Sequence, residues 1–170
     1  AMPEVLTKTT PIKSPWICHK YSSSRINKVG NSILITGGGT ALINNTLAEI
    51  ALKLQIANRA LQVFVDSKIY DLLKDKKENK ALKFGFSNSE FATLSAVICR
   101  PGIGILTDCV RYNVPPIAIN DGFNNEIHHN AKRINELGIG ASFDSSNHST
   151  TELVDKILNF FSNKATLAAC

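Results

Sequence analysis

Two glycine-rich segments in this sequence have the residue types that bind phosphate groups. The first is Gly37-Gly38-Gly39-Thr40, and the second spans residues 99–108 around Gly102-Ile103-Gly104. Backbone N–H groups at the start of a helix attract anions, and glycines let a phosphate approach the backbone closely. We interpret both segments as candidate phosphate-binding loops. For the first segment, a tight turn between a strand and a helix is an equally good explanation.

Charged side chains flank the second glycine segment. Arg100 precedes its glycines, and Asp108 follows them by four residues, about one helical turn. A carboxylate placed there can accept hydrogen bonds from both hydroxyls of a ribose. Packing alone explains the glycines but not these two polar neighbours, so a ligand-binding role is favoured for Arg100 and Asp108.

A third segment is rich in short hydrogen-bonding side chains and reads Asn120-Asp121-Gly122-Phe123-Asn124-Asn125-Glu126. Capping a helix needs only one such side chain, whereas this segment has five. Amide and carboxylate groups at this density suit hydroxyl-rich ligands such as sugars. A plain capped loop is the alternative interpretation.

Neither glycine segment fits the two best-known nucleotide fingerprints. Leu42 stands where the dinucleotide fingerprint has its third glycine, and no Lys-Ser or Lys-Thr pair follows at the offset of a P-loop. A dehydrogenase is therefore the least favoured class for this chain.

The three segments lie between elements of alternating type. Apolar runs predict strands at 32–36, 61–65, 81–86, 96–99, 116–119 and 141–143. Helical spacing predicts helices between them, with caps at Thr40 for the first and Asp66 or Ser67 for the second. We expect the later helices to cover about 89–94, the segment from the 101–104 loop to about Asn113, and 126–137 with a stop at Gly138, and to end with one that opens at Thr150 or Thr151.

This alternation predicts the α/β class, with a Rossmann-like parallel sheet of about six strands and helices on both faces. Parallel sheets bind ligands beyond the carboxyl ends of their strands. The site should therefore be built from the loops after the first, third, fourth and fifth strands.

The 170 residues fit one compact domain preceded by an arm. We expect residues 1–30, with three prolines and a serine run, to form a linker or docking arm, and residues 31–170 to form the ligand-binding domain. Ala1-Met2 is typical of a cloning remnant, which suggests a piece of a longer protein. The arm has five basic residues and one acidic residue, so it carries four of the five net positive charges, and the near-neutral remainder disfavours nucleic-acid binding.

The cysteines and histidines form no pattern typical of a metal site. The four cysteines include no Cys-x-x-Cys pair, and His128 and His129 are adjacent rather than four residues apart. We expect Cys99 and Cys109 to be buried free thiols, which indicates a reducing compartment and a cytoplasmic location. No stretch approaches the roughly 20 apolar residues of a membrane helix.

The segments 96–108 and 121–131 together resemble the carboxyl-terminal, donor-binding domain of GT-B glycosyltransferases. Their sequences are Ala-Val-Ile-Cys-Arg-Pro-Gly-Ile-Gly-Ile-Leu-Thr-Asp and Asp-Gly-Phe-Asn-Asn-Glu-Ile-His-His-Asn-Ala. The most similar group is glycosyltransferase family 28, which contains the N-acetylglucosaminyltransferase that forms lipid II in peptidoglycan synthesis. The resemblance covers about residues 31–165.

The resemblance implies a role for each candidate residue. Asp108, where the family usually has Glu, would hold the ribose of a uridine diphosphate (UDP) donor, and the helix start with Ile103 at its centre would hold the phosphates. The segment Phe86-Ser87-Asn88 would recognise the base, largely through backbone groups. Other contacts implied by the family are those of Gly38, Gly39 and Thr40 near the diphosphate and acceptor, and of Asn125 and Glu126 with the donor sugar.

The resemblance also implies an inverting mechanism that needs a second domain. Retaining members of the fold have two Glu residues eight apart, but Arg100 stands eight residues before Asp108. The catalytic base would lie in an amino-terminal acceptor-binding domain or a separate acceptor subunit, and helix N-termini rather than a metal would stabilise the leaving diphosphate. His128 and His129 are interpreted as packing or surface groups.

These implications predict that the chain alone binds a nucleotide sugar without transferring it. Any contact with a membrane surface would come through the full-length protein. Two alternatives remain on the same fold: a non-catalytic nucleotide-sugar-binding module, and part of a nucleotide-sugar epimerase or hydrolase.

Overall fold

The computed structural model describes residues 31–39, 41–122 and 124–162. The predicted arm, Thr40 and Phe123 lie outside these ranges. Within them, the strands are β1 (Ser32–Thr36), β2 (Gln62–Val65), β3 (Leu82–Lys83), β4 (Ala96–Cys99), β5 (Pro116–Asn120) and β6 (Ala141–Asp144). The helices are α1 (Asn44–Ala57), α2 (Ser67–Leu73), α3 (Asn88–Phe91), α4 (Ile103–Tyr112), α5 (Asn125–Leu137) and α6 (Thr150–Ser162).

The strands form a single parallel sheet in the order β3-β2-β1-β4-β5-β6. This confirms the predicted α/β class and the Rossmann-like sheet. Sequence order reverses between β1 and β4, since the chain first winds outward through β2 and β3 and then returns to the other side of β1. A reversal of this kind opens a crevice at the carboxyl ends of the two central strands.

Two hydrophobic cores cover the two faces of the sheet. Ile33 and Ile35 point into the core formed with α1, α2 and α6, whereas Leu34 between them belongs to the core formed with α3, α4 and α5. All three side chains are fully buried. Because both faces are covered, the central strands read as continuous apolar runs rather than as alternating patterns. The predicted helices on both faces are confirmed.

Some boundaries of the predicted elements differ in the structure. Helix α1 begins later than predicted, because residues 41–43 first form a turn in which the Asn44 N–H donates to the Ala41 carbonyl (3.2 Å), and Ile43 is the N-cap. The third strand is two residues long rather than six. It lies at the edge of the sheet and pairs with β2. The Phe84 N–H still donates to the Val65 carbonyl of β2 (2.8 Å), but the Gly85 N–H donates to Glu90 Oε1 (2.9 Å) instead of to a strand.

Helix α3 ends at Phe91, three residues before the predicted end, whereas three other helix boundaries agree with the sequence. Asp66 caps α2, with its carboxylate accepting a hydrogen bond from the Ile69 N–H (3.0 Å). Helix α5 ends at Gly138, whose left-handed φ of 64° identifies the predicted glycine stop. Helix α6 begins at Thr150.

Candidate functional site

A cleft of about 430 Å³ opens at the carboxyl ends of the central strands. Residues that follow four different strands line it, and it lies where the strand order reverses. The lining consists of Thr36 at the end of β1 with Gly37, Gly38 and Gly39 after it, Asp66, Ser67 and Lys68 after β2, Phe86 after β3, and Arg100, Gly102, Gly104, Ile105 and Asp108 after β4.

The glycine loop after β1 is stabilised mainly by bonds within the protein. The Gly37 N–H donates to Asp66 Oδ2 (2.9 Å), and the Gly38 N–H donates to Thr36 Oγ1 (3.2 Å). Gly38 has a φ of 69°, a left-handed conformation that favours glycine. Since two of its amides already have acceptors, the loop fits the tight-turn interpretation better than that of a phosphate cradle.

The start of α4, unlike the glycine loop after β1, fits an anion-binding site. Gly102 is the N-cap with a φ of −74°, and the first turn has no acidic residue. A Cβ atom added at Gly102 or Gly104 would meet nothing within 4 Å. Neither backbone conformation nor packing therefore explains these glycines. They leave open space at the positive end of a helix, where an anion is favoured.

A cation and a carboxylate share this cleft with the α4 start. The Nε atom of Arg100 is buried and has no hydrogen-bond partner within the described part of the chain. The Asp108 side chain is partly buried, which raises the pKa of its carboxyl, while nearby Arg111 partly opposes the rise. A ligand with an anionic group and hydroxyl donors would satisfy both side chains.

An aromatic ring forms another part of the lining. Phe86 is 46% exposed and has a φ of 59°, which is uncommon for a bulky residue and costs about 1–3 kcal/mol. Its ring contacts Phe84 edge-on with centroids 5.0 Å apart, and Phe91 at 6.1 Å. These contacts stabilise a strained backbone that leaves an aromatic face available to the cleft.

Several of the predicted site residues do not line the cleft. Ser87 caps α3 in a capping box, in which the Glu90 N–H donates to Ser87 Oγ (3.3 Å) and the Ser87 N–H to Glu90 Oε2 (2.9 Å). Ile103 is 38% exposed on the first turn of α4, outside the lining. Asn125 and Glu126 are exposed at the start of α5, also outside it.

The polar side chains at the end of β5 and in the segment after it mainly form hydrogen bonds that stabilise the backbone of the loops. Asn124 caps α5 by accepting from the Ile127 N–H (3.1 Å), and Asn120 Oδ1 accepts from the Gly122 N–H (3.2 Å). The fully buried Asn130 donates from Nδ2 to the Pro101 carbonyl (2.9 Å). That bond ties α5 to the loop that leads into α4.

The loop after β2 lines the cleft although the sequence did not indicate it. Asp66 was explained as a helix cap, and Lys68 lacked any motif. Lys68 Nζ donates to the Gly39 carbonyl (2.7 Å), so this loop contacts the glycine loop directly. The missing signal was the strand order, because β2 pairs with β1 and its carboxyl end therefore lies at the same sheet edge.

Cys99 and Cys109 are buried free thiols, which confirms their prediction, and burial raises the pKa of Cys99 to about 12. Across the described ranges, no three or more His, Cys, Asp or Glu side chains group as metal ligands would. No helix among the described residues is long and apolar enough to span a membrane.

Several solved structures that share this fold are glycosyltransferases. The glycotransferase of kitacinnamycin is 14% identical with a TM-score of 0.64, over 89% of this chain and 40% of that one. The glycosyltransferase VinC, solved in complex with DTDP, is 19% identical with a TM-score of 0.62, over 81% and 35%. MurG of Acinetobacter baumannii is 18% identical with a TM-score of 0.60, over 82% and 44%. The chain thus spans less than half the length of each of these proteins.

The sequence comparison identifies the family within this fold class. The model of the glycosyltransferase family 28 C-terminal domain matches residues 32–169, and the chain belongs to this family. The suspected resemblance is thereby confirmed. No curated protein matches the chain.

Proposed function

We propose that this chain binds the nucleotide-sugar donor of an inverting glycosyltransferase, with a UDP-linked sugar as the expected donor. The observation that carries the proposal is the combination, in one cleft, of an open helix N-terminus, a cation, a carboxylate and an aromatic ring. A nucleoside diphosphate offers a matching group to each. Family membership supports glycosyl transfer as the reaction of the complete protein.

The diphosphate is proposed to bind at the start of α4. The helix dipole and the amides that follow Gly102 favour an anion there. The guanidinium of Arg100 adds a full positive charge. Its buried Nε has no hydrogen-bond partner in the described part of the chain, so an acceptor on a ligand would stabilise it. The open space beside Gly102 and Gly104 leaves room for phosphate oxygens against the backbone.

The nucleoside is proposed to bind farther along the same cleft. The Asp108 carboxylate would accept hydrogen bonds from the ribose hydroxyls, and those bonds would stabilise a charge that burial disfavours. The exposed ring of Phe86 would stack on the base, an interaction worth about 1–3 kcal/mol in other proteins. The backbone of the neighbouring Ser87 is also proposed to contact the base.

The remaining predicted residues are proposed to contact the donor around its diphosphate and its sugar. Gly38, Gly39 and Thr40 would lie near the diphosphate and the incoming acceptor, and Ile103 would contact the donor beside the phosphates. Asn125 and Glu126 remain proposed contacts with the sugar, as the family resemblance implies.

The catalytic base is proposed to come from an acceptor-binding domain. The described cleft has two acids, of which Asp66 already accepts three hydrogen bonds and Asp108 is assigned to the ribose. In the complete enzyme, the base would deprotonate the acceptor hydroxyl, which attacks the anomeric carbon while the bond to the diphosphate breaks. We propose residues 31–170 as the donor domain, preceded by an arm at 1–30, in a cytoplasmic enzyme.

Calorimetric titration of the 170-residue chain with UDP tests this proposal, with thymidine diphosphate as a comparison for the base. Asp108→Ala should weaken UDP binding by about 1–3 kcal/mol because bonds to a charged acceptor are lost. Asp155→Ala removes an exposed acid from α6, away from the cleft, and should leave binding unchanged. Equal binding by wild type and Asp108→Ala would contradict the ribose assignment. If the wild type binds no nucleoside diphosphate, the proposed function is wrong.

A further inference from the structure

The carboxylate of Asp66 connects the glycine loop after β1 to the start of α2. Its Oδ2 atom accepts hydrogen bonds from the Thr36 hydroxyl (2.8 Å) and the Gly37 N–H (2.9 Å). Its Oδ1 atom accepts from the Ile69 N–H (3.0 Å). Asp66 is 7% exposed and Thr36 is 2% exposed. An acid bound in this way is neither a free base nor a free ligand for a substrate.

The bonds of Asp66 extend through the whole glycine loop. The Thr36 hydroxyl donates to Asp66 and accepts from the Gly38 N–H (3.2 Å), and Gly38 holds its left-handed φ of 69°. At the far end of the loop, Lys68 Nζ donates to the Gly39 carbonyl (2.7 Å). All three glycines are therefore tied, directly or through Thr36, to residues at the start of α2.

We propose that Asp66 is a positioning residue of the donor site, which sets the conformation of the glycine loop so that the loop forms one wall of the cleft. The inference rests on the proposed function, since it takes the nucleotide sugar as the ligand of that wall. Glycine-rich loops have many accessible conformations, and a single buried carboxylate with three donors selects one of them.

The charge of Asp66 makes the proposal testable by the sign of an effect. A carboxylate near the cleft repels the phosphates of the ligand, so if only its charge mattered, removing the charge would tighten binding. If its hydrogen bonds position the loop, removing them weakens binding although the repulsion is also gone. The two explanations predict opposite changes in affinity for UDP.

Asp66→Asn separates the two roles of this side chain, which are to cap α2 and to hold the glycine loop. Asn caps helices about as well as Asp, so its Oδ1 can still accept from the Ile69 N–H. Its amide nitrogen cannot accept from Thr36 or Gly37. In the full 170-residue chain we expect UDP affinity to fall at least about tenfold. We also expect the amides of Gly37 and Gly38 to exchange hydrogen faster in the absence of ligand.

Variants of Thr36 distinguish a loss of UDP affinity caused by the missing hydrogen bond from a loss caused by misfolding of Asp66→Asn. Thr36→Ser keeps the hydroxyl and should bind UDP nearly as the wild type does, whereas Thr36→Val keeps the shape and should lose affinity as Asp66→Asn does. In the double variant the losses should not add, since both remove the same hydrogen bond. Ser149→Ala, which removes a similar backbone contact (Glu152 N–H to Ser149 Oγ, 3.3 Å) outside the cleft, should leave UDP affinity unchanged.

The outcomes distinguish this inference from the function on which it rests. Equal or tighter UDP binding by Asp66→Asn, with a wild type that binds, overturns the positioning role and leaves the proposed function intact. A wild type that binds no nucleoside diphosphate overturns the proposed function instead. In that case the exchange rates of the Gly37 and Gly38 amides still decide whether Asp66 holds the loop.

Discussion

At the scale of single residues, the glycines fall into groups that the sequence cannot separate. Gly38 needs its positive φ, and Gly140 needs space, because an added Cβ would lie 2.0 Å from the Pro116 carbonyl oxygen. Gly39, Gly102 and Gly104 border open space and have no left-handed φ. The lack of a side chain at these three positions is best explained by a ligand that enters the cleft.

Gly104→Ala should therefore separate stability from binding. Alanine is the better helix former in the first turn of α4, so the variant should be as stable as the wild type or more stable by about 0.5–1 kcal/mol. The new methyl group would occupy cleft space, so UDP affinity should fall. Urea unfolding and calorimetric titration measure the two effects, with Thr107→Ala on the same helix as a control outside the lining. Unchanged UDP affinity in Gly104→Ala would show that the ligand does not approach this turn.

Asp108→Asn should also raise stability while it lowers UDP affinity, in this case because it removes an ionisable group. Burial raises the carboxyl pKa above its ordinary 3.8, so the folded chain retains this proton to a higher pH than the unfolded chain. Stability from this group therefore falls as pH rises through that window. The variant should melt at a higher temperature than the wild type at neutral pH, with the difference shrinking toward and below pH 3.8, while its UDP affinity is lower. A difference in melting temperature that does not change with pH would refute this origin.

At the scale of elements, most of the fold could be predicted because strands and helices differ in length and apolar spacing. All six strands occur where apolar runs predicted them. The errors arose where tertiary partners decide: β3 is short because only β2 pairs with it, and Phe84 and Phe86 beyond it join an aromatic cluster instead. Strand order is equally invisible in local patterns, which is why Asp66 and Lys68 were not predicted in the site.

Gly140→Ala tests the packing that holds β6 against β5. The added Cβ would lie 2.0 Å from the Pro116 carbonyl oxygen and 3.1 Å from Ile134 Cγ2, so backbone must shift. We expect a loss of at least about 1–3 kcal/mol in the free energy of unfolding, measured by urea denaturation. The same substitution at Gly39, with nothing within 4 Å, should change stability little. Equal losses at both positions would contradict the packing argument.

At the scale of the whole molecule, the cleft occupies one edge of a single sheet, and the chain spans 35–44% of the length of three glycosyltransferases that share its fold. A donor bound there would have one side against this domain. The acceptor and the base must then approach from the opposite side, which is the role proposed for an acceptor-binding domain.

The chain alone should therefore bind the donor and be stabilised by it without breaking its glycosidic bond. UDP at about 100 times its dissociation constant should add roughly 2.7 kcal/mol to the free energy of unfolding, seen as a higher melting temperature. Incubation with a UDP-sugar should release no UDP above background, because neither acid among the described cleft residues, Asp66 or Asp108, is assigned as a base. Release should begin when the acceptor-binding domain and an acceptor are added, and Asp108→Ala should slow it. UDP release by the 170-residue chain alone would contradict this division of labour, because the chain would then break the glycosidic bond without an acceptor-binding domain.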